Sequence, residues 1–141
     1  MSVPLSPLYA IVDADLSARH GWEVTQLAEA VMRGGARLVQ LRAKSVSSET
    51  FMAWADTIVN LGIRYGATII LNDRVDLARL SGASGLHLGQ EDLPVNAVRK
   101  ILGPEALIGL STHTLRQLNV ALSAPISYVA VGPVFETQSK T

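Results

Sequence analysis

The chain has 141 residues, with 12 Lys and Arg balanced by 12 Asp and Glu, no cysteine, and 48% hydrophobic residues. That composition describes a folded single domain over residues 1–141 and excludes intrinsic disorder, a disulfide framework, a thiolate metal site and a cysteine nucleophile. Zero net charge offers no basic stripe for nucleic acid or a membrane surface, and neither a secretory leader nor an apolar membrane span is legible, so a cytoplasmic, soluble protein is expected.

The elements follow one rhythm. Short, β-rich apolar runs occupy residues 8–13, 37–42, 68–72, 85–89, 107–111 and 128–134, each too short for a helix. Between them, apolar residues recur at helical spacing: Val24, Leu27, Ala28 and Val31, then Phe51, Trp54, Ala55 and Ile58. A third set is Val95, Val98 and Ile101, and a fourth is Leu115, Leu118, Asn119 and Leu122. Residues 73–79 supply one more short helix. Ser47 and Ser48, Pro94, and Gly34, Gly66 and Gly103 punctuate the helix ends.

Strands alternating with helices imply a parallel sheet, because parallel neighbours need crossover connections. Parity within the strands refines this. Val39 and Leu41 oppose Gln40 and Arg42, Leu86 and Leu88 oppose His87 and Gly89, and Ile108 and Leu110 oppose Gly109 and Ser111. One greasy face and one polar face fit helices outside and a narrow interior inside, as in an α/β, TIM-type (β/α)8 barrel, here with about six βα units.

Barrel sites lie at the C-terminal ends of the strands, and polar residues gather there. Asp13 ends the first strand, Gln40, Arg42 and Lys44 the second, and Asn72 and Asp73 the third. Gln90, Glu91 and Asp92 follow the fourth, Ser111 ends the fifth, and Thr137, Ser139 and Lys140 follow the sixth. Asp73 and Asp92, with Glu91 as a third candidate, are hard oxygen donors that suit Mg²⁺. Arg42, Lys44 and Lys140 add cations and Ser111 a hydroxyl, while the amides of Ser111, Thr112 and His113 would open the next helix toward the same space, a set suited to a diphosphate. Plainer readings stand beside these: Asp73, Asp92 and Ser111 each precede a helix and could be N-caps, and Lys44 and Lys140 could be solvated lysines. His87 reads as a hydrogen-bonded interior residue, and inward-facing Tyr9 as the floor of a substrate pocket.

The segments LYAIVD (8–13), VQLRAK (39–44), LNDR (71–74), GLHLGQEDLP (85–94), GLSTHT (109–114) and GPVF (132–135), taken in order, resemble thiamine phosphate synthase. The resemblance implies a barrel transferase of thiamine biosynthesis that joins 4-amino-2-methyl-5-hydroxymethylpyrimidine diphosphate to thiazole phosphate, giving thiamine phosphate and diphosphate. It implies that Asp73 and Asp92 hold Mg²⁺, that Gln40, Arg42, Lys44, Asn72, Ser111 and Lys140 hold the pyrimidine substrate and its diphosphate, and that Thr137 and Ser139 lie near the thiazole phosphate. Arg42, Lys44, Ser111 and Lys140 are the catalytic set in that reading.

Glu136 stands where the family has proline and Ser139 where threonine is usual. The family's later glycine-rich phosphate segment is not in the sequence, so the barrel is expected to be incomplete at its C-terminal end. At best weak, Mg²⁺-dependent binding of the pyrimidine diphosphate is then expected, without synthesis. Two alternatives stay open, a thiazole tautomerase-like protein and a non-catalytic phosphate-binding fragment. The partners implied are small molecules; the oligomeric state is open, a homo-oligomer included.

Overall fold

A computed structural model describes residues 5–137. Six strands, β1 (Tyr9–Asp13), β2 (Leu38–Arg42), β3 (Thr68–Asn72), β4 (Gly85–Leu88), β5 (Leu107–Thr112) and β6 (Tyr128–Val131), form one sheet. Every neighbouring pair is parallel and the spatial order is the chain order, β1 to β6. A doubly wound sheet reverses its order at a switch point, so this uninterrupted progression is that of a barrel. Among the described residues the outer edges of β1 and β6 have no strand partner.

Among the described residues six helices connect or follow the strands: α1 (Ala14–Arg19), α2 (Val24–Arg33), α3 (Ser48–Tyr65), α4 (Val75–Ser81), α5 (Val95–Leu102) and α6 (Leu115–Ala121). Their start and stop signals are local. Ser47 accepts the Thr50 amide at 3.1 Å to open α3, and Gly66 closes it in the left-handed region at φ 65°, where a side chain would be strained. The main core fills the layer between sheet and helices. Val39, Leu41, Ile69, Leu71, Leu86 and Ile108 pack there with Ala28 and Met32 of α2 and Phe51, Ala55 and Ile58 of α3. Each large side chain removed from water in this layer contributes about 1.5–3 kcal/mol.

The other sheet face is the barrel interior, and its register places the site. Gln40 lies beside Ile11 and Ile70, and Asn72 beside His87. His87 is in turn beside Gly109, and Gly109 beside Tyr128. A Cβ at Gly109 would overlap the Tyr128 ring, so glycine there is what admits a tyrosine on the next strand.

Three expectations need correction. Helix α1 was not foreseen; Asp13 caps it by accepting the Leu16 amide at 3.0 Å. The sixth strand stops at Val131 rather than at residue 134, because Gly132 gives the last ladder bond to Thr112 and Pro133 has no N–H to continue it. Ser111 and Thr112 are both strand residues: the cap of α6 is Thr114, and the His113 amide is taken by the Gln117 side chain at 2.8 Å. Those amides therefore do not form an anion cradle.

Candidate active site

The C-terminal rim assembles from consecutive strand ends. Asp13 and Arg42 end β1 and β2 in register, Lys44 follows on the β2–α3 loop, Asn72 ends β3, Asp73 follows it, and Ser111 lies near the end of β5. Lys44, Asn72, Asp73 and Arg74 line a cleft of about 240 Å³ at this rim, with Phe51 beneath. A cleft of about 260 Å³ opens at the opposite end, among Gly62, Gly66, Thr68 and Ser84, and none of its lining groups titrates.

Asp73 and Asp92 are brought together from different loops. Neither is a helix cap: α4 begins after Arg74 and α5 after Pro94, and no side chain caps either helix. The Asp92 carboxylate instead accepts the Gly89 amide at 2.6 Å, which fixes the β4–α5 turn. Asp73 sits at φ 63°, a left-handed conformation uncommon outside glycine and tolerated by Asp and Asn. Burial, then a hydrogen bond to Asp92 and its charge, push the Asp73 carboxyl up to about 6 against the opposing pull of Lys44 and Arg42. Two carboxyl groups close enough to share a proton thus lie beside two cations at the rim. Glu91 is exposed on the turn, and the described residues hold no cluster of three or more acidic or histidine groups suited to a metal.

Arg42 is anchored from behind. Its guanidinium pairs with Asp13, and both side chains are largely buried. Burial resists ionisation of Asp13, but the Leu16 amide and Arg42 outweigh it and hold the carboxyl below its usual range.

Below the rim, Gln40 donates to the Tyr9 hydroxyl at 2.7 Å, Tyr9 meets the Tyr128 hydroxyl at 2.8 Å, and Tyr128 meets His87 Nδ1 at 3.0 Å. His87 Nε2 lies 2.8 Å from Ser111 Oγ. The interior reading of His87 and the inward placement of Tyr9 both hold, and the two tyrosine rings meet edge to face. Gln90 donates to the Ser111 carbonyl at 2.7 Å, tying the β4 turn to β5.

Of the residues singled out in the sequence, Tyr9, Gln40, Arg42, Lys44, Asn72, Asp73, Asp92 and Ser111 thus lie on the inner face or rim. Thr137 is exposed beyond β6, and Ser139 and Lys140 lie outside the described residues. Tyr128 went unrecognised, as did the anchoring roles of Asp13 and Gln90. Parity gave a signal for Tyr128, which shares the inner face of β6 with Ala130.

A one-way parallel sheet with charged side chains gathered at its C-terminal rim defines a (β/α)-barrel protein. The family model described as thiamine monophosphate synthase matches residues 8–141, and the chain belongs to that family. The thiamine-phosphate synthase of Shouchella clausii is 40% identical over 133 residues, covering 94% of this chain and 63% of the relative. That of Lawsonia intracellularis is 41% identical, with 94% and 60% covered. The solved thiamine phosphate pyrophosphorylase of Pyrococcus furiosus superposes with a TM-score of 0.82 at 26% identity, covering 94% of this chain and 63% of that one. The chain thus spans about three fifths of the length of the curated relatives it matches.

Proposed function

We propose that this chain carries the diphosphate-binding side of a thiamine phosphate synthase, the transferase that joins 4-amino-2-methyl-5-hydroxymethylpyrimidine diphosphate to thiazole phosphate. The observation that carries this reading is the Asp73–Asp92 pair, which caps no helix and faces Lys44 and Arg42. A tautomerase-like protein has no use for that arrangement.

The donor set fits Mg²⁺, which takes one or two carboxylates and fills its remaining positions with water and phosphate oxygens. Asp73 and Asp92 would hold it, and when bound it would neutralise charge on the diphosphate. Arg42 offers charge-assisted bonds from a guanidinium already fixed by Asp13, and Lys44 and Lys140 would add further cations. Departure of diphosphate from the pyrimidine, with capture of the resulting cation by the thiazole nitrogen, asks the protein for charge neutralisation and positioning rather than for a nucleophile. Gln40, Asn72 and Tyr9 would position the pyrimidine, and Thr137 and Ser139 would meet the thiazole phosphate.

Calorimetry of residues 1–141 with inorganic diphosphate, with and without Mg²⁺, tests the binding half, and detection of thiamine phosphate from the two substrates tests the reaction. Mg²⁺-dependent diphosphate binding is expected. Binding indifferent to Mg²⁺ and to Asp92→Ala would refute the reading. Compartment and oligomeric state belong to the same proposal, as a cytoplasmic enzyme with small-molecule partners; no helix among the described residues is long and apolar enough to cross a membrane.

A further inference from the structure

Arg42 ends β2 and Phe51 is the first fully buried residue of α3; the segment between them, residues 43–50, carries Lys44 at the rim. Ala43 and Val46 pack on the core from half-buried positions, and Ser47 makes a local cap with Thr50. Lys44, Ser45, Ser47, Ser48 and Glu49 are exposed. Among the described residues one hydrogen bond leaves this segment for another element: Arg74 Nη2 donates to Ser48 Oγ at 3.1 Å.

Arg74 is itself held in a fixed plane. Its Nε donates to Asp76 Oδ1 at 3.0 Å and its Nη2 to Asp76 Oδ2 at 2.7 Å, a two-point fork onto the first turn of α4. Arg74 in turn holds the Asp76 carboxyl below its usual range, so the fork stays charged through neutral pH. Arg74 directly follows Asp73, and Lys44, Asp73 and Arg74 line the same cleft. An ion pair this exposed adds little to global stability. The first turn of a helix frays where no packing holds it, however, and in α3 packing on the core begins only at Phe51. The consequence of the Arg74–Ser48 bond is therefore local: it sets how the segment bearing Lys44 lies against the β3–α4 turn bearing Asp73.

We propose that Arg74 is a positioning residue, pinning the first turn of α3 through Ser48 so that Lys44 is held near Asp73 at the cleft. It acts through Lys44 rather than on the ligand. The inference rests on Lys44 belonging to the diphosphate site.

Ser48→Ala is the discriminating variant: it removes the hydroxyl, changes no charge at the rim and puts a better helix former into α3, so the helix is not weakened. In ¹⁵N-labelled residues 1–141 without ligand, backbone order parameters over residues 43–46 should fall in Ser48→Ala and in Arg74→Ala. Calorimetry should find magnesium diphosphate binding about 2- to 5-fold weaker in Ser48→Ala, the size of one exposed charge-assisted bond, and restored in Ser48→Thr, which keeps the hydroxyl. In a Lys44→Ala background, Ser48→Ala should change binding no further. Order parameters unchanged in both variants overturn the inference whether or not diphosphate binds. Parent-like binding in Ser48→Ala, or a loss that persists without Lys44, overturns it and leaves the functional reading standing. Parent-like binding in Lys44→Ala would instead remove Lys44 from the diphosphate site and sink both.

Discussion

One carboxylate oxygen of Asp13 accepts the Leu16 amide at 3.0 Å while the other pairs with the Arg42 guanidinium, so a single side chain caps α1 and fixes the arginine of the neighbouring strand. The Asp13 carbonyl adds a third tie by accepting from the Ser17 hydroxyl at 2.7 Å. Helix and rim are therefore built on the same residue.

Replacing Asp13 separates these roles. Asn caps as well as Asp but carries no charge, whereas Ala does neither, so Asp13→Ala should cost about 1–2 kcal/mol at pH 7 from the cap and more from the stranded guanidinium. The folded-state carboxyl lies below its unfolded value near 3.9, so its ionisation stabilises the fold above about pH 4 and that contribution is lost as pH falls through the folded value. Urea unfolding should find Asp13→Asn less stable than the parent at pH 7, with the gap shrinking below about pH 4; a gap that is the same at pH 7 and at pH 3 would exclude a charge effect.

How much of this was legible beforehand follows from which forces act locally. Strand and helix positions were readable because Val39 and Leu41 against Gln40 and Arg42, or Val24, Leu27, Ala28 and Val31, carry their period in adjacent sequence. The roles of Asp73 and Asp92 were undecided, because a cap and a metal ligand before a helix look alike until the helix start is known, and α4 and α5 begin one and two residues too late for capping. The role of Tyr128, beyond its inward parity, was hidden for a different reason. Its place depends on Gly109 on another strand and on a polar series closed by Tyr9, which is 119 residues away. Helix α1 was missed because six residues are too few to show a period, although Asp13 before it is a good cap.

Asp73 should behave in the opposite sense to Asp13. Its folded-state carboxyl is raised to about 6, above the unfolded value near 3.9, so its contribution is fully favourable below about pH 4 and is lost as pH rises through 6. Asn keeps the shape and tolerates the left-handed backbone at this position. Asp73→Asn should be more stable than the parent at pH 8 without metal, by on the order of 1 kcal/mol after solvent screening, and equal to it near pH 4. Denaturant melts at the two pH values check this, and a variant less stable at pH 8 would show that the Asp92 charge is not the dominant neighbour. The same variant should lose Mg²⁺-dependent diphosphate binding, a cost in function for a gain in stability.

Gly109 and Tyr128 form a matched pair across β5 and β6. A Cβ at residue 109 would enter the tyrosine ring, and overpacking of this kind costs about 1–3 kcal/mol. Gly109→Ala should therefore lower stability and displace the Tyr128 hydroxyl from His87. In a Tyr128→Ala background the same change should cost far less, since the space is then open. Equal costs in both backgrounds, measured by thermal or urea unfolding, would mean that the ring moves aside without strain.

Asp92 separates structure from ligand binding most cleanly. Its carboxylate holds the Gly89 amide at 2.6 Å, and a Cβ on Gly89 would press on that oxygen at 3.2 Å, so the turn is shaped around this one side chain. Asp92→Asn keeps an oxygen for the amide but loses the charge that a divalent ion needs, whereas Asp92→Ala loses both. If the carboxylate serves Mg²⁺, both variants should lose magnesium diphosphate binding to a similar extent, by more than about 10-fold, because removing one charged ligand costs more than a neutral hydrogen bond. Melting temperatures should diverge instead, with Asn close to the parent and Ala lower, since only Ala leaves the Gly89 amide without its acceptor. If Asn binds like the parent while Ala does not, the turn rather than the charge is what the diphosphate requires, and the metal role passes to Asp73 alone.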